Sequence, residues 1–290
     1  VFAFEGQPDN KAELDRLATA VFRTLEIHDP ERMRARREEN LRRGRQLLEG
    51  LTRRDYVNAL RERPEWFLFK LQGKTVGFLR IEDSRSRRAQ LDGIEVRTCA
   101  MLEVPDGPRQ LIQRILFVDP DRTLEEWKET SLVGTGDEQR SFGEHGMMTN
   151  GSGIMVDVRD GQRTRSKEQK VPPGYLPRAT AVLLPRLVDL DQEDVTYGFS
   201  AYNTEANHFD YRTFTVVGGE TVRAGTKRVR AVKAIEQVAA DAAPVTLWLD
   251  ADGTLLRMRN QQGADVVPAD RAAVLRAFPD AEQALRRLNR

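Results

Sequence analysis

The sequence predicts an α+β fold: a large curved antiparallel β-sheet, half-barrel-like, with a helix packed on it, a helical N-terminal extension and a C-terminal helix. Three observations carry this reading. Residues 10 to about 63 place apolar side chains three and four positions apart, the helical period. From Trp66 onward, β-branched and aromatic residues alternate with polar ones between glycine-bearing turns, which is the strand period. A single helical pattern, at about 175–189, interrupts those strands.

In the N-terminal extension, residues 1–64, Leu14, Leu17, Val21 and Leu25 line a first helix that His28-Asp29-Pro30 stops. Pro30 suits the first position of a second helix. That helix is rich in Arg and Glu to Gln46, is weakened at Gly44, and becomes amphipathic only through Leu47, Leu48, Leu51, Tyr56, Val57 and Leu60, before Pro64. The β-sheet domain, residues 65–290, opens with a hairpin, Trp66 to Leu71 and Thr75 to Ile81, around Gly73. Ile94, Val96, Ala100, Leu102 and Val104 then alternate with Glu95, Arg97, Cys99, Met101 and Glu103, predicting one apolar and one mostly polar face. Asn150-Gly151 and Asp160-Gly161 flank another alternating run, Ile154 to Val158, as turns between antiparallel neighbours. After Pro172-Pro173-Gly174 comes the inserted helix, with Leu176, Ala179, Val182, Leu183 and Leu187 on one side and Pro185 near its end. Strands resume from Val195, with turns expected at Gly218-Gly219 and Asp252-Gly253, and a last helix is expected at about 268–288.

Composition narrows the function classes. The 290 residues carry 46 Lys+Arg against 45 Asp+Glu, a formal charge of +1, which argues against a general nucleic-acid coat. No apolar run approaches the roughly 18 to 20 residues of a membrane-spanning helix, so a soluble chain without a transmembrane span is expected. One Cys and three His exclude a disulfide framework and the common Cys-rich zinc modules. The chain opens Val1-Phe2-Ala3-Phe4, with neither an initiator Met nor the apolar core of a leader, so a leader already removed is one expectation.

Two features invite chemistry. Leu247-Trp248-Leu249-Asp250-Ala251-Asp252-Gly253-Thr254 resembles the first motif of the haloacid dehalogenase phosphatases, in which Asp250 would be the nucleophile and Asp252 the acid/base, with magnesium between them. Too little chain follows for the rest of that domain, and Asp-Gly between apolar strands is a hairpin signal, so the turn reading is preferred. The second feature is the run Arg32, Arg34, Arg36, Arg37, Arg42, Arg43 and Arg45, a candidate patch for an anionic partner such as a lipid headgroup. Glu31, Glu38 and Glu39 make a solvated helix face the plainer reading, and the run has no aromatic residue to stack on bases, so nucleic acid is not expected. His28, His145 and His208 lie far apart and read as cap, turn or surface residues; Gly134-Thr135-Gly136 reads as a loop. No cofactor and no metal is expected.

Glu65-Trp66 leading into Gly73-Lys74-Thr75-Val76-Gly77-Phe78, the Leu176 to Leu187 helix between strands, and the hairpin from Trp248 to Arg257 together resemble uncharacterised bacterial envelope proteins. Their bent antiparallel sheet is similar to that of the LolA/LolB lipoprotein carriers, and the resemblance spans about Trp66 to Asn260. It implies a concave sheet with a helix lid that holds acyl chains, binding without chemistry, in the bacterial cell envelope or periplasm. It transfers no site residue by name, and the Arg-rich extension and larger sheet depart from a minimal carrier. The resulting expectation is a non-catalytic extracytoplasmic binding or scaffolding protein whose sheet meets a lipid, peptide or partner helix. The alternatives are a structural subunit, self-associated or docked on another protein through its N-terminal helices, and a metal-dependent hydrolase using Asp250 and Asp252.

Overall fold

Hairpin follows hairpin through most of the chain, and all the described strands join one sheet. The computed structural model describes residue 16 and residues 29–290, apart from 104–106, 135–138, 162, 225–226, 261 and 289–290. Nearly all of the first expected helix, together with Val104, His28 and most of the Gly134 loop, therefore lies outside the described residues. The chain divides into two units, Val1–Glu39 and Asn40–Arg290. Helix α1 (Pro30–Gly50) begins in the first and ends in the second. A capping box formed by Thr52 and Asp55 then starts the short α2 (Arg53–Asn58), so the helical run breaks after Gly50.

The first arm of the sheet comprises β1 (Glu65–Leu71), β2 (Lys74–Arg88), β3 (Leu91–Leu102), β4 (Gln110–Val118), β5 (Leu124–Val133), β6 (Arg140–Thr149), β7 (Gly153–Asp160) and β8 (Arg163–Lys170). Helix α3 (Arg178–Leu187) follows. The second arm comprises β9 (Val195–Asn203), β10 (His208–Ala224), β11 (Lys227–Gln237), β12 (Val245–Leu249), β13 (Leu255–Arg259) and β14 (Asp265–Ala269). Each arm is an antiparallel meander, and they meet where β1 pairs with β14, giving the order β8 to β1, then β14 back to β9. The two outermost strands curl toward each other. Tyr175, just after β8, bridges to Ser200 of β9, while Lys167 Nζ and Gln169 Nε2 donate to the Thr204 and Asn207 carbonyls at 2.5 and 3.2 Å. The fold is α+β, built on one curved fourteen-stranded antiparallel sheet.

Helices cover the inner face of this sheet and part of the outer one. On the inner face, α3 divides the apolar side chains into two clusters. Leu184 and Val188 pack with Phe199, Phe214, Leu247 and Leu249 of the second arm, and Ala179 and Leu183 pack with Val96, Leu116, Trp127 and Val156 of the first. On the outer face of β2–β4, Phe78, Met101 and Leu111 are buried under α4 (Arg271–Ala277) and α5 (Ala281–Leu288). The expected polar face of β3 is thus corrected at Met101, which is buried because the C-terminal helices fold back over it, and at Cys99, which is buried beside Gln113 of β4. Those helices are two short pieces separated at Pro279, and Pro268 belongs to β14.

Two glycine readings also change. Gly44 is the contact point of α1 with β9: a Cβ there would sit 2.0 Å from the Gly198 carbonyl oxygen. Gly218-Gly219 does not turn the chain, since β10 runs through it with a register shift beside Gly218, and the Gly219 N–H donates to Glu193. No described helix is long and apolar enough to cross a membrane.

Candidate binding cavity

The inner face owes its shape to α3, a helix that begins without a cap of its own. Pro177 occupies the N-cap position and offers no side-chain acceptor. The acceptor comes from the sheet instead: Glu125 of β5 takes the Arg178 N–H on one carboxylate oxygen and the Tyr175 hydroxyl on the other, both at 2.6 Å. Glu125 is completely buried. Loss of water pushes its carboxyl up to about 7, and the hydrogen bonds from Tyr175 and Arg178 offset only part of that rise.

The Arg178 side chain is held by a second acid. Its guanidinium reaches Glu144 of β6 at 3.0 Å and the Thr204 hydroxyl at 2.8 Å, and lies over the Trp127 ring at 4.6 Å. The Trp127 indole, fully buried, covers Gly146 across the strand pair and donates to the same Glu144 oxygen at 2.5 Å. At the far end of α3, Arg186 pairs with Glu65 and with Asp83 (2.6 Å) and donates to the Ala59 carbonyl, placing a cation at the negative end of the helix. Tyr56 of α2 meets Thr180, in the first turn of α3, at 3.0 Å. Carboxylates of the sheet therefore fix α3 at both ends.

The helix does not fill the space it crosses. Between its Ala181, Val182 and Pro185 face and the two arms lies an open cavity of about 700 Å³. Its apolar wall comes from both arms, Leu79, Ile81 and Leu116 on one and Leu247, Leu249 and Met258 on the other. Its polar wall follows from strand register: Thr98, Arg114, Glu129 and Glu144 are successive cross-strand partners on β3 to β6 and so share one face. The adjacent acids Glu129 and Glu144 are compensated separately, by Arg114 at 2.6 Å and by Arg178. Across the cavity Arg212 pairs with Glu236. The arrangement is an open cavity with an apolar wall on each arm and internally paired charges.

The aspartates, histidines and arginines singled out from sequence lie elsewhere. Asp250 Oδ1 accepts the Asp252 and Thr254 N–H groups at 3.0 and 2.8 Å, making the β12–β13 turn. A Cβ on Gly253 in that turn, at φ +73°, would sit 2.2 Å from the Pro185 carbonyl oxygen, so the tight hairpin lets the turn dock on α3. Asp252 borders a smaller cavity of about 310 Å³ with Arg61 and Arg186. Among the described residues no three His, Cys, Asp or Glu side chains are grouped to hold a metal. His145 and His208 are exposed beside Glu126 and Asp210. The arginine run is on α1: Arg32, Arg34, Arg36 and Arg37 are exposed in the first unit, and in the second Arg42 and Arg45 are exposed and Arg43 half-buried.

Glu125, Glu144, Trp127, Arg178 and Arg186 escaped the sequence reading. A signal was present in β5, where Glu125, Trp127 and Glu129 fall on one face, an aromatic flanked by carboxylates.

No protein-family model and no curated protein matches this chain. Among solved structures it is similar to a crystal structure titled as a beta-barrel-like protein of domain of unknown function DUF1849 from Brucella abortus. The identity is 11%, the TM-score 0.45, and the match covers 71% of this chain and 92% of the other.

Proposed function

We propose that this chain is a non-catalytic binding protein of the bacterial envelope that shelters an amphiphilic molecule between α3 and the curved sheet. The observation that carries the reading is the cavity of about 700 Å³. Ligand sites commonly enclose about 300–1,000 Å³, and this open cavity falls in that range, with an apolar wall on each arm and, among the described residues, ten charged ones in its lining. The apolar walls would take a hydrocarbon chain, and the polar row on β3 to β6 would face its head. The fixed ends of α3 keep the space open without a ligand to prop it, so less ordering opposes binding. The envelope location rests on the sequence likeness to the lipoprotein carriers.

Native mass spectrometry of protein purified from its own host, followed by denaturing extraction, tests the reading. A reproducible mass increment that extracts as a lipid supports it, as does recovery of the protein in the envelope fraction. A clean chain mass, with no displacement of a fluorescent apolar probe by any amphiphile, overturns it.

A further inference from the structure

Resting on the reading of this cavity as an amphiphile site, we infer that it selects an uncharged head group over a carboxylate or phosphate. Every guanidinium in its lining is already matched by a carboxylate: Arg114 by Glu129, Arg178 by Glu144, Arg186 by Glu65 and Arg212 by Glu236. Glu205 and Asp210 also line the cavity, which among the described residues leaves two carboxylates in excess and no lysine or histidine in the lining. The other natural anion site, the N-terminus of α3, is taken by Glu125, which accepts the Arg178 N–H and is itself buried.

An anionic head entering this chamber would give up water and find no unpaired cation. It would have to break an existing ion pair, leaving a carboxylate behind without its partner, or lie beside surplus negative charge. An amide or hydroxyl head avoids both costs and meets neutral hydrogen-bonding groups at Thr98 and Asn203. Selectivity thus arises from what the site repels as well as from what it holds.

The test compares two probes that share a chain and differ in head charge, dodecanamide and dodecanoate, each displacing phenylnaphthylamine from the full-length protein. Working at about pH 8.5 keeps the dodecanoate carboxylate ionised. Dodecanamide is expected to bind at least tenfold tighter. Glu236→Gln leaves Arg212 without its carboxylate and is expected to raise dodecanoate affinity about tenfold relative to dodecanamide. Glu129→Gln, which frees Arg114, is the second variant should the first unfold. Dodecanoate binding as tightly as dodecanamide in the wild type, or no gain in either folded variant, overturns the charge selection and leaves the amphiphile site standing. If neither probe binds, the amphiphile reading itself falls.

Discussion

Glu125→Gln should remove a pH dependence of stability that the wild type carries. In the folded chain the Glu125 carboxyl is raised by burial from 4.5 to about 7. The native state therefore holds a proton that the unfolded chain has released at every pH between those values. A raised carboxyl loses stability as pH rises through that window, and the loss levels off above the folded value. At 1.36 kcal/mol per unit, the change amounts to about 3 kcal/mol between pH ~4.5 and ~7. Glutamine keeps the packing: its carbonyl accepts the Arg178 N–H, and its NH₂ donates to Tyr175 once the hydroxyl rotates. The assay is urea unfolding of both proteins at steps from about pH 5 to 8, taking wild type minus variant so that the other titrating groups cancel. The difference should move in the variant's favour by about 3 kcal/mol as pH rises. Parallel curves would refute the reasoning, because they would mean that Glu125 titrates alike folded and unfolded.

Gly253→Ala should destabilise by about 2 kcal/mol or more, since strain at positive φ adds to the clash with Pro185, whereas Gly263→Ala, at φ +78° with open space around it, should cost about 1 kcal/mol. Equal midpoint shifts in urea would count against the docking of the β12–β13 turn on α3. Trp127→Ala should cost about 3–5 kcal/mol, because a fully buried indole is lost and Glu144 loses a donor; a loss under about 1 kcal/mol would mean that the wall collapses without it. Asp265 is raised by burial but lowered further by hydrogen bonds from Arg259 and Arg257, reaching about 2 against an ordinary 3.8. Stability from this group should disappear as pH falls through that window, and Asp265→Asn should be flat there in acid unfolding.

Much of the sheet was legible because its signals are local. The alternation from Ile94 and the turns at Gly73, Asn150-Gly151 and Asp252-Gly253 are written within a few residues of where they act, and the structure has strands and turns there. Met101 misled because alternation reports which residues share a face and not whether something later covers it. Gly218-Gly219 misled because a glycine pair suits a bulge as well as a turn. The cavity was the least legible part. Glu125 and Glu144 look like solvent-facing strand residues until α3, more than thirty positions downstream, brings Arg178 to both. Asp250 and Asp252 have the reverse history, a motif with a chemical look whose first aspartate is engaged in holding a turn.

The central seam of the sheet sets a timetable for the chain's synthesis. Trp66 pairs with Ala269, about two hundred residues later, whereas every other neighbouring pair of strands is consecutive in the chain. Hairpins of the first arm can close as they emerge, but at about 5–20 residues per second β1 waits roughly ten to forty seconds for β14. Through that interval Trp66-Phe67-Leu68-Phe69 forms an unpaired edge in the middle of the future sheet, without the shielding that charged edge residues provide. An unfinished chain, or one clipped before Asp265, is therefore most prone to pair with a neighbour at its centre, while in the finished sheet β1 is enclosed between β2 and β14.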